Sequence, residues 1–167
     1  MLLRKATIEE TQTAMTLLKE TAEWLNSIGS SQWSDVLDGE DKYEIAKAVK
    51  NGEVFFFYNS NELIGMAAAW RKPTAWDERL WKDQEFNESV YYLHRVIIHP
   101  RYRGKGYGKE LLNALKSEFT EAVSELRLDC LASNSKLVQF YRDNNFTHVG
   151  NGKSFDGIKF ELFSYYQ

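Results

Sequence analysis

The feature that most constrains this chain is a strand that runs into a turn of alternating glycines, which then opens a helix. The strand ends with Val96-Ile97-Ile98, and the turn is Arg103-Gly104-Lys105-Gly106-Tyr107-Gly108. Apolar residues at helical spacing follow the turn, namely Leu111, Leu112, Leu115 and Phe119. The chain therefore has to place a glycine-rich turn at the N-terminus of a helix.

A turn of this kind is suited to bind an anion. The first N–H groups of a helix have no partner within the helix and lie at the positive end of its dipole. Glycines let the backbone approach a phosphate oxygen because no Cβ stands in the way. Basic side chains surround the same point at Arg101, Arg103, Lys105 and Lys109. A diphosphate is the ligand that this arrangement favours, and the alternative is a solvated basic loop whose glycines serve only helix geometry.

The spacing of the glycines and lysines in the turn does not fit two common diphosphate-binding motifs. Lys105 and Lys109 lack the frame of a Walker A loop. The glycines at 104, 106 and 108 do not fit the dinucleotide pattern G-x-G-x-x-G, and no acidic residue follows in a clear ribose-binding frame. The turn therefore belongs to neither of these nucleotide-binding classes.

The rest of the chain alternates helical and strand patterns within one predicted domain, residues 1–167. Thr7 and Glu10 form a capping box before a first helix, and a second helical segment covers roughly 40–51. Residues 71–89 predict a short helix or a lid-like loop. Strands are predicted at 2–6, 53–58, 63–70, 91–98, 126–131, 146–150 and 158–165. The order β-α-α-β-β-β-α-β-α-β-β indicates an α/β (α+β) fold of mixed sheet and flanking helices.

The glycine turn and its surroundings resemble the GNAT superfamily of acyl-CoA-dependent N-acetyltransferases. The cofactor loop of that family has the form R/Q-x-x-G-x-G/A, which Arg103 to Gly108 match in full. An apolar strand, His99-Pro100, the loop and an amphipathic helix come in the family order, and the element order covers nearly the whole chain. The resemblance implies a mostly antiparallel central sheet, acetyl-CoA as the co-substrate and a primary amine as the acceptor.

The resemblance also implies which residues hold the cofactor. The pyrophosphate would bind main-chain N–H groups of Gly104, Lys105, Gly106, Tyr107 and Gly108. Arg103 would stand at the loop entrance, and Lys109 would add positive charge. The main chain of Val96 and Ile98 would pair with the pantetheine arm as if the arm were an added strand. Asn134, at the start of the following helix, would contact the same arm.

For the chemistry, the resemblance places Tyr141 near the thioester sulfur as proton donor to the departing thiolate. Periodicity alone makes Leu137, Phe140 and Tyr141 a packing stripe, so a core role is the alternative. Asn145 stands where the family has glycine, which is a mild departure because asparagine tolerates the left-handed conformation.

The sequence identifies the general base less clearly than the proton donor. His94 is the first candidate, and its alternative is a half-buried strand histidine. Asp129 and Glu53 are weaker candidates, and a water chain would remove the need for a dedicated base. Cys130 lies in an apolar strand, which favours a small buried residue over a covalent acyl intermediate. We therefore expect direct attack in a ternary complex.

Aromatic residues are concentrated in the first helices and around 71–89, the regions that wall the acceptor cleft in the family. The candidate acceptor-binding residues are Trp33, Trp70, Trp76 and Tyr92. Nearby acidic residues would suit a cationic or apolar amine, partly through cation–π contact. Polyamines, aminoglycosides, amino acids and protein N-termini all remain open as acceptors.

Composition limits the other classes of function. A net charge of −3 argues against a general nucleic-acid surface, and one cysteine with three scattered histidines predicts no metal site. No apolar run approaches membrane-spanning length, so we expect a cytoplasmic protein with no membrane contact. A non-catalytic acyl-CoA sensor is the main alternative to an enzyme, and RNA binding through the basic turn is a weaker one. The Phe- and Tyr-rich closing strands would suit a homodimer.

Overall fold

The computed structural model describes residues 1–40 and 44–167. In this part of the chain the strands are β1 (Leu2–Lys5), β2 (Val54–Asn59), β3 (Glu62–Trp70), β4 (Val90–Ile98), β5 (Glu125–Leu131), β6 (Thr147–Lys153) and β7 (Lys159–Tyr166). The helices are α1 (Thr11–Ser27), α2 (Ser34–Leu37), α3 (Ile45–Lys50), α4 (Ala75–Leu80), α5 (Tyr107–Phe119) and α6 (Ser135–Asp143). Short 3₁₀ turns cover Ile8–Glu10 and Pro100–Tyr102.

The seven strands form one sheet in the order β1-β2-β3-β4-β5-β7-β6. Antiparallel pairing joins β1 to β2, β2 to β3, β5 to β7 and β6 to β7, whereas β4 and β5 are parallel. The predicted α/β fold with a mixed, mostly antiparallel sheet is confirmed.

The chain divides into two compact units, and the first comprises Met1–Ala69 and Arg95–Ala114. Its core contains β2, where Phe55, Phe56 and Phe57 are at most 3% exposed. The apolar stripe of α1 is buried at Ala14, Leu17, Leu18 and Ala22, which agrees with the helical spacing of these residues. A Cβ at Gly65 would lie 2.3 Å from the main-chain oxygen of Ile97, so β3 needs glycine at this position.

The second unit comprises Trp70–His94 and Leu115–Gln167. One apolar cluster in it is formed by Leu80, Trp81, Val90, Tyr92 and Leu162. Beside it lies a buried ion pair in which Arg127 Nε donates to Glu125 Oε1 at 2.9 Å. Ser164 Oγ donates to the same carboxylate oxygen, so this buried charge is fully engaged.

Two elements differ from the sequence prediction, and in a third the sequence left a helix and a loop open. The short helix α2 was not predicted, and it is entered through Trp33 in the left-handed conformation (φ 61°). Residues 71–89 contain α4, which begins at a Thr74–Asp77 capping box. The second predicted helix is shorter than 40–51, and its positions 41–43 lie outside the described residues. No helix among the described residues is long and apolar enough to cross a membrane.

Candidate active site

The predicted glycine turn forms at the start of α5. Gly104 and Gly106 have φ values of +76° and +80°, in the left-handed region that favours glycine. A Cβ at either position would meet no described residue within 4 Å, so in this part of the chain the surface above the turn is open. The helix begins at Tyr107 and continues for 13 residues, long enough for its N–H groups and dipole to attract an anion.

Two contacts within the first unit hold this turn in place. The Arg103 guanidinium carbon lies 4.1 Å from the centre of the Trp24 ring, a cation–π contact with α1. Tyr107 accepts a hydrogen bond from Asn59 Nδ2 at 2.9 Å, which ties the first residue of α5 to the end of β2. Lys105 and Lys109 are exposed, so their charges are free to approach a ligand from solvent.

The strand β4 contains an irregularity that the sequence did not indicate. Arg95 has a φ of +49°, which is rare for a residue with a Cβ and unusual inside a strand. The guanidinium of Arg95 lies 5.0 Å from the Trp33 ring, and its Nη2 donates to Asp35 at 3.4 Å. Trp33, a predicted acceptor-binding residue, is therefore covered by Arg95. Val96 and Ile98, the predicted partners of the pantetheine arm, are half-buried beyond this bulge.

The parallel pairing of β4 with β5 brings two polar residues side by side. It runs from Val90↔Glu125 to Tyr92↔Arg127. His94 and Asp129 lie two residues beyond the last of these pairs, and therefore on the same face of their strands as that pair. Their side chains belong to a cluster with Asp77 of α4, in which one nitrogen or oxygen atom from each residue lies within 4.8 Å of the others.

Hydrogen bonds give each member of this cluster a defined environment. Both carboxylate oxygens of Asp77 lie 3.0 Å from His94 Nε2, and Asp77 is fully buried. The main-chain N–H and the hydroxyl of Thr74 also donate to Asp77 Oδ2. Asp129 Oδ2 accepts from the Trp76 indole at 3.2 Å. The Trp70 ring packs against His94, with 5.1 Å between the ring centres.

The surroundings of Asp129 favour either its protonated form or the binding of a cation beside its carboxylate. Burial raises the pKa of Asp129 to about 6, and the negative charge of Asp77 adds to the rise. His94 and the indole N–H of Trp76 act in the opposite direction and lower the same pKa. Asp129 therefore changes charge close to neutral pH, where an ordinary aspartate is fully ionised.

Tyr141 lies on α6 and is 6% exposed. Its ring packs against Phe140, Phe146 and Phe163, so Tyr141 packs in the core as its spacing predicted. Burial raises the pKa of Tyr141 well above its usual value, and the charges of Cys130 and Asp129 add to the rise. The phenol therefore stays protonated, as a hydrogen-bond donor to a thiolate must.

The remaining predicted residues have clear structural roles. Asn134 Oδ1 accepts from the Leu137 N–H at 3.1 Å, which caps α6. Burial raises the pKa of Cys130 to about 12, which makes its thiol inert. Asn145 adopts a φ of +66°, the left-handed conformation expected of it. Tyr92 is 2% exposed and its hydroxyl accepts a hydrogen bond from Arg127, and its role as an acceptor contact stays a prediction.

The sequence did not single out Asp77 as the partner of His94. Its spacing from Thr74 marks it as part of a capping box, and that role alone explains an aspartate at this position. The contact with His94 depends on how α4 packs on the sheet, which no local pattern reports.

Solved structures share this fold. A GNAT family acetyltransferase from Listeria monocytogenes 4b F2365 superposes with a TM-score of 0.82 at 32% identity, covering 99% of this chain and 94% of that one. A putative acetyltransferase from Salmonella typhimurium, yncA, was solved with its cofactor acetyl-CoA. It has a TM-score of 0.67 at 13% identity, covering 99% of this chain and 93% of that one. The fold is thus that of an acetyltransferase.

Sequence comparison identifies the family. The model of the acetyltransferase (GNAT) family matches residues 18–146. A Bacillus subtilis (strain 168) protein named uncharacterized N-acetyltransferase YesJ is 36% identical over 147 residues, which cover 87% of this chain and 81% of that protein. The chain belongs to the GNAT acetyltransferase family, as its glycine turn indicated.

Proposed function

We propose that this protein transfers an acetyl group from acetyl-CoA to a primary amine of a small molecule or peptide. The observation that carries the proposal is the open glycine turn at the start of α5, with Gly104 and Gly106 in left-handed conformations. Family membership supports it, and so does the acetyl-CoA bound to the Salmonella relative of the same fold. The cytoplasmic location and the homodimer stay predictions from sequence.

In the proposed complex the pyrophosphate binds the main-chain N–H groups of residues 104–108. Arg103 and Lys109 balance its charge, since both are exposed beside the turn. The pantetheine arm pairs with the main chain at Val96 and Ile98. Asn134 offers its amide to the same arm while its Oδ1 caps α6.

The proposed reaction is a direct attack. The lone pair of the amine forms a bond to the thioester carbonyl carbon, and the C–S bond breaks as the tetrahedral intermediate collapses. Tyr141 donates a hydrogen bond and then a proton to the departing thiolate, because its phenol is protonated across the working pH range. His94 contributes to removing the proton of the amine, directly or through a water molecule.

A non-catalytic acyl-CoA sensor is the second candidate. It would need the same turn, but it would have no use for a proton donor or for the polar cluster of Asp77, His94 and Asp129. That cluster contains a fully buried carboxylate and a carboxyl group with a raised pKa, which are costly features in a fold without chemistry to perform. We therefore favour the enzyme.

Calorimetry with acetyl-CoA tests the proposal through Gly106→Asp and Gly106→Asn. Both substitutions add a side chain of the same size at φ +80°, where asparagine and aspartate are the residues that tolerate the conformation best. The aspartate also places a negative charge beside the phosphates. We expect the aspartate variant to lose at least about 100-fold in affinity and the asparagine variant to lose much less.

An amine screen follows from a positive result. Release of free CoA with a panel of primary amines would show transfer, and Tyr141→Phe should lower kcat by about 100-fold while leaving acetyl-CoA affinity unchanged. Wild-type protein that does not bind acetyl-CoA or CoA would show that the proposed function is wrong.

A further inference from the structure

We propose that Trp24 of α1 is a positioning residue for the cofactor, because its indole holds the Arg103 guanidinium ready to bind the diphosphate of acetyl-CoA. The inference rests on the proposed function and extends it, since it gives α1 a role in cofactor binding that the glycine turn alone does not require. The residues that carry it, on α1 and in the segment 99–108, all belong to the first unit.

The first support is that one face of α1 contacts the segment before the glycine turn at two points. Glu20 Oε2 lies 2.6 Å from His99 Nε2, and the centre of the Trp24 ring lies 4.1 Å from the guanidinium carbon of Arg103. Glu20 and Trp24 are four residues apart on the helix, and therefore on the same face. Their partners are also four residues apart. The helix α1 therefore holds both ends of the segment that leads from β4 into the turn.

The contact at His99 is fixed because both nitrogens of the imidazole have partners. Nδ1 accepts the main-chain N–H of Arg101 at 3.2 Å. In a neutral imidazole the proton then lies on Nε2, which donates it to Glu20. His99 thus also caps the 3₁₀ turn Pro100–Tyr102, and this turn brings the chain to Arg103 directly before the glycines.

The second support is that the charge of Arg103 has an aromatic partner but no acidic one. Among the described residues no carboxylate forms an ion pair with Arg103. Partial burial lowers the pKa of Arg103. Arg4, by contrast, has a raised pKa because its guanidinium donates hydrogen bonds to Glu10. A partly desolvated cation without a counter-ion is a site for an anion that arrives from outside.

The third support is the way in which a stacked guanidinium binds an anion. The group is planar, so stacking on an indole uses one face and leaves the N–H groups at its edge available. Those N–H groups bind phosphate oxygens in pairs. The Arg103 side chain is still exposed in part, so a diphosphate at Gly104 and Gly106 can reach it. Stacking on Trp24 also reduces the conformational entropy that this long side chain loses when it binds.

The alternative is that Trp24 only packs α1 against the rest of the first unit. The last buried residue of α1 is Ala22, and Trp24 lies beyond it and is partly exposed. A core role predicts that substitution lowers stability and weakens every ligand contact alike. A positioning role predicts a loss that depends on Arg103 and on the diphosphate.

A double-mutant cycle on acetyl-CoA affinity tests the inference. Calorimetry measures Kd for wild type, Trp24→Leu, Arg103→Gln and the double variant. We expect Arg103→Gln to weaken binding about 30-fold and Trp24→Leu to weaken it about 5- to 10-fold. In the Arg103→Gln background, Trp24→Leu should weaken binding by less than about twofold, because the side chain that it positions is gone.

Two further ligand and variant comparisons separate positioning from packing. Trp24→Phe keeps an aromatic face and should lose only about two- to threefold in acetyl-CoA affinity. The same cycle with Trp24→Phe replaces the leucine cycle if urea unfolding shows that Trp24→Leu does not fold. Acetylpantetheine, at millimolar concentration, carries the thioester arm without the diphosphate and should bind wild type and the Trp24 variants equally.

The matched control is a second cation–π pair, in which the guanidinium carbon of Arg79 lies 4.4 Å from the centre of the Phe155 ring. Both residues belong to the second unit, and neither has a proposed role in binding acetyl-CoA. Phe155→Leu removes the ring of this pair as Trp24→Leu removes the indole. We expect Phe155→Leu to bind acetyl-CoA as wild type does.

The outcomes separate this inference from the proposed function. Wild-type protein that does not bind acetyl-CoA would overturn both. Wild-type protein that binds, with Trp24→Leu losing the same factor whether residue 103 is arginine or glutamine, would overturn only the role of Trp24. So would a folded Trp24→Leu that binds acetyl-CoA as tightly as wild type, or one that loses affinity for acetylpantetheine in the same proportion.

Discussion

At the scale of single residues, some ionisable groups of this protein stabilise the fold when they are charged, whereas others destabilise it. Arg4 lowers the pKa of Glu10 to about 2, so ionised Glu10 favours folding. Burial has the opposite effect on Asp129, because it raises the pKa to about 6. Asp129 destabilises the fold when it is charged, and it lies beside His94. These two properties are typical of a carboxylate that serves function rather than stability.

The raised pKa of Asp129 predicts how stability depends on pH. Between about pH 4 and pH 6 the native state holds a proton on Asp129 that the unfolded chain, with a pKa near 3.9, has already lost. The stabilising effect of that proton is full below about pH 4 and disappears as pH rises through about 6. We expect Asp129→Asn to be more stable than wild type at pH 7 by roughly 3 kcal/mol, and nearly as stable as wild type at pH 4.

Urea unfolding of both proteins at several pH values measures this difference. Other carboxyl groups contribute equally to both proteins and cancel in the comparison. A variant that is less stable than wild type at pH 7 would contradict the prediction and indicate a structural role for Asp129.

The residues of the site differ in how far they could be predicted. Gly104 and Gly106 were identifiable because a left-handed turn before a helix has a local sequence signature. Tyr141 was identifiable only by resemblance, since its spacing is equally that of a packing residue. The contact of Asp77 with His94 and the left-handed Arg95 depend on tertiary packing, and nothing in the nearby sequence marks them.

At the scale of elements, the close approach of β3 to the backbone of β4 makes a testable prediction through Gly65. An added Cβ would lie 2.3 Å from the Ile97 oxygen, so Gly65→Ala has to displace the main chain between Val96 and Ile98. We expect it to cost about 1–3 kcal/mol of stability and to weaken acetyl-CoA binding, because those residues are the proposed partners of the pantetheine arm. Urea unfolding and calorimetry measure the two effects.

A second glycine provides the matched control. A Cβ at Gly152 of β6 would lie 2.7 Å from the Leu80 oxygen, a comparable clash far along the chain from the proposed cofactor residues. Gly152→Ala should therefore lose similar stability while keeping its acetyl-CoA affinity. Equal effects of both substitutions on binding would argue against a cofactor role for this part of β4.

Most helices and strands could be predicted because their repeat of apolar residues is visible within a short stretch of sequence. The hairpin of β2 and β3 begins and ends within a few residues of its predicted position, and α5 and α6 contain the apolar residues that predicted them. The short helix α2 was missed because its entry through a left-handed tryptophan has no local signal. The segment 71–89 was ambiguous because only its first part forms a helix, α4.

At the scale of the whole molecule, the sequence predicts one domain and the structure has two compact units. The divisions between them fall inside β3, β4 and α5, at residues 69/70, 94/95 and 114/115. Neither unit therefore contains a complete set of elements. Since half a strand or half a helix is not stable alone, we expect the chain to unfold in a single cooperative transition.

Scanning calorimetry with and without acetyl-CoA tests this expectation together with the cofactor assignment. Ligand at about 100 times its Kd should stabilise the native state by about 2.7 kcal/mol, which for a chain of this size raises Tm by roughly 5–10 °C. The whole transition should move in wild type and stay fixed in Gly106→Asp, while Gly106→Asn shows an intermediate shift. Two separate transitions, of which acetyl-CoA moves only one, would contradict the single domain.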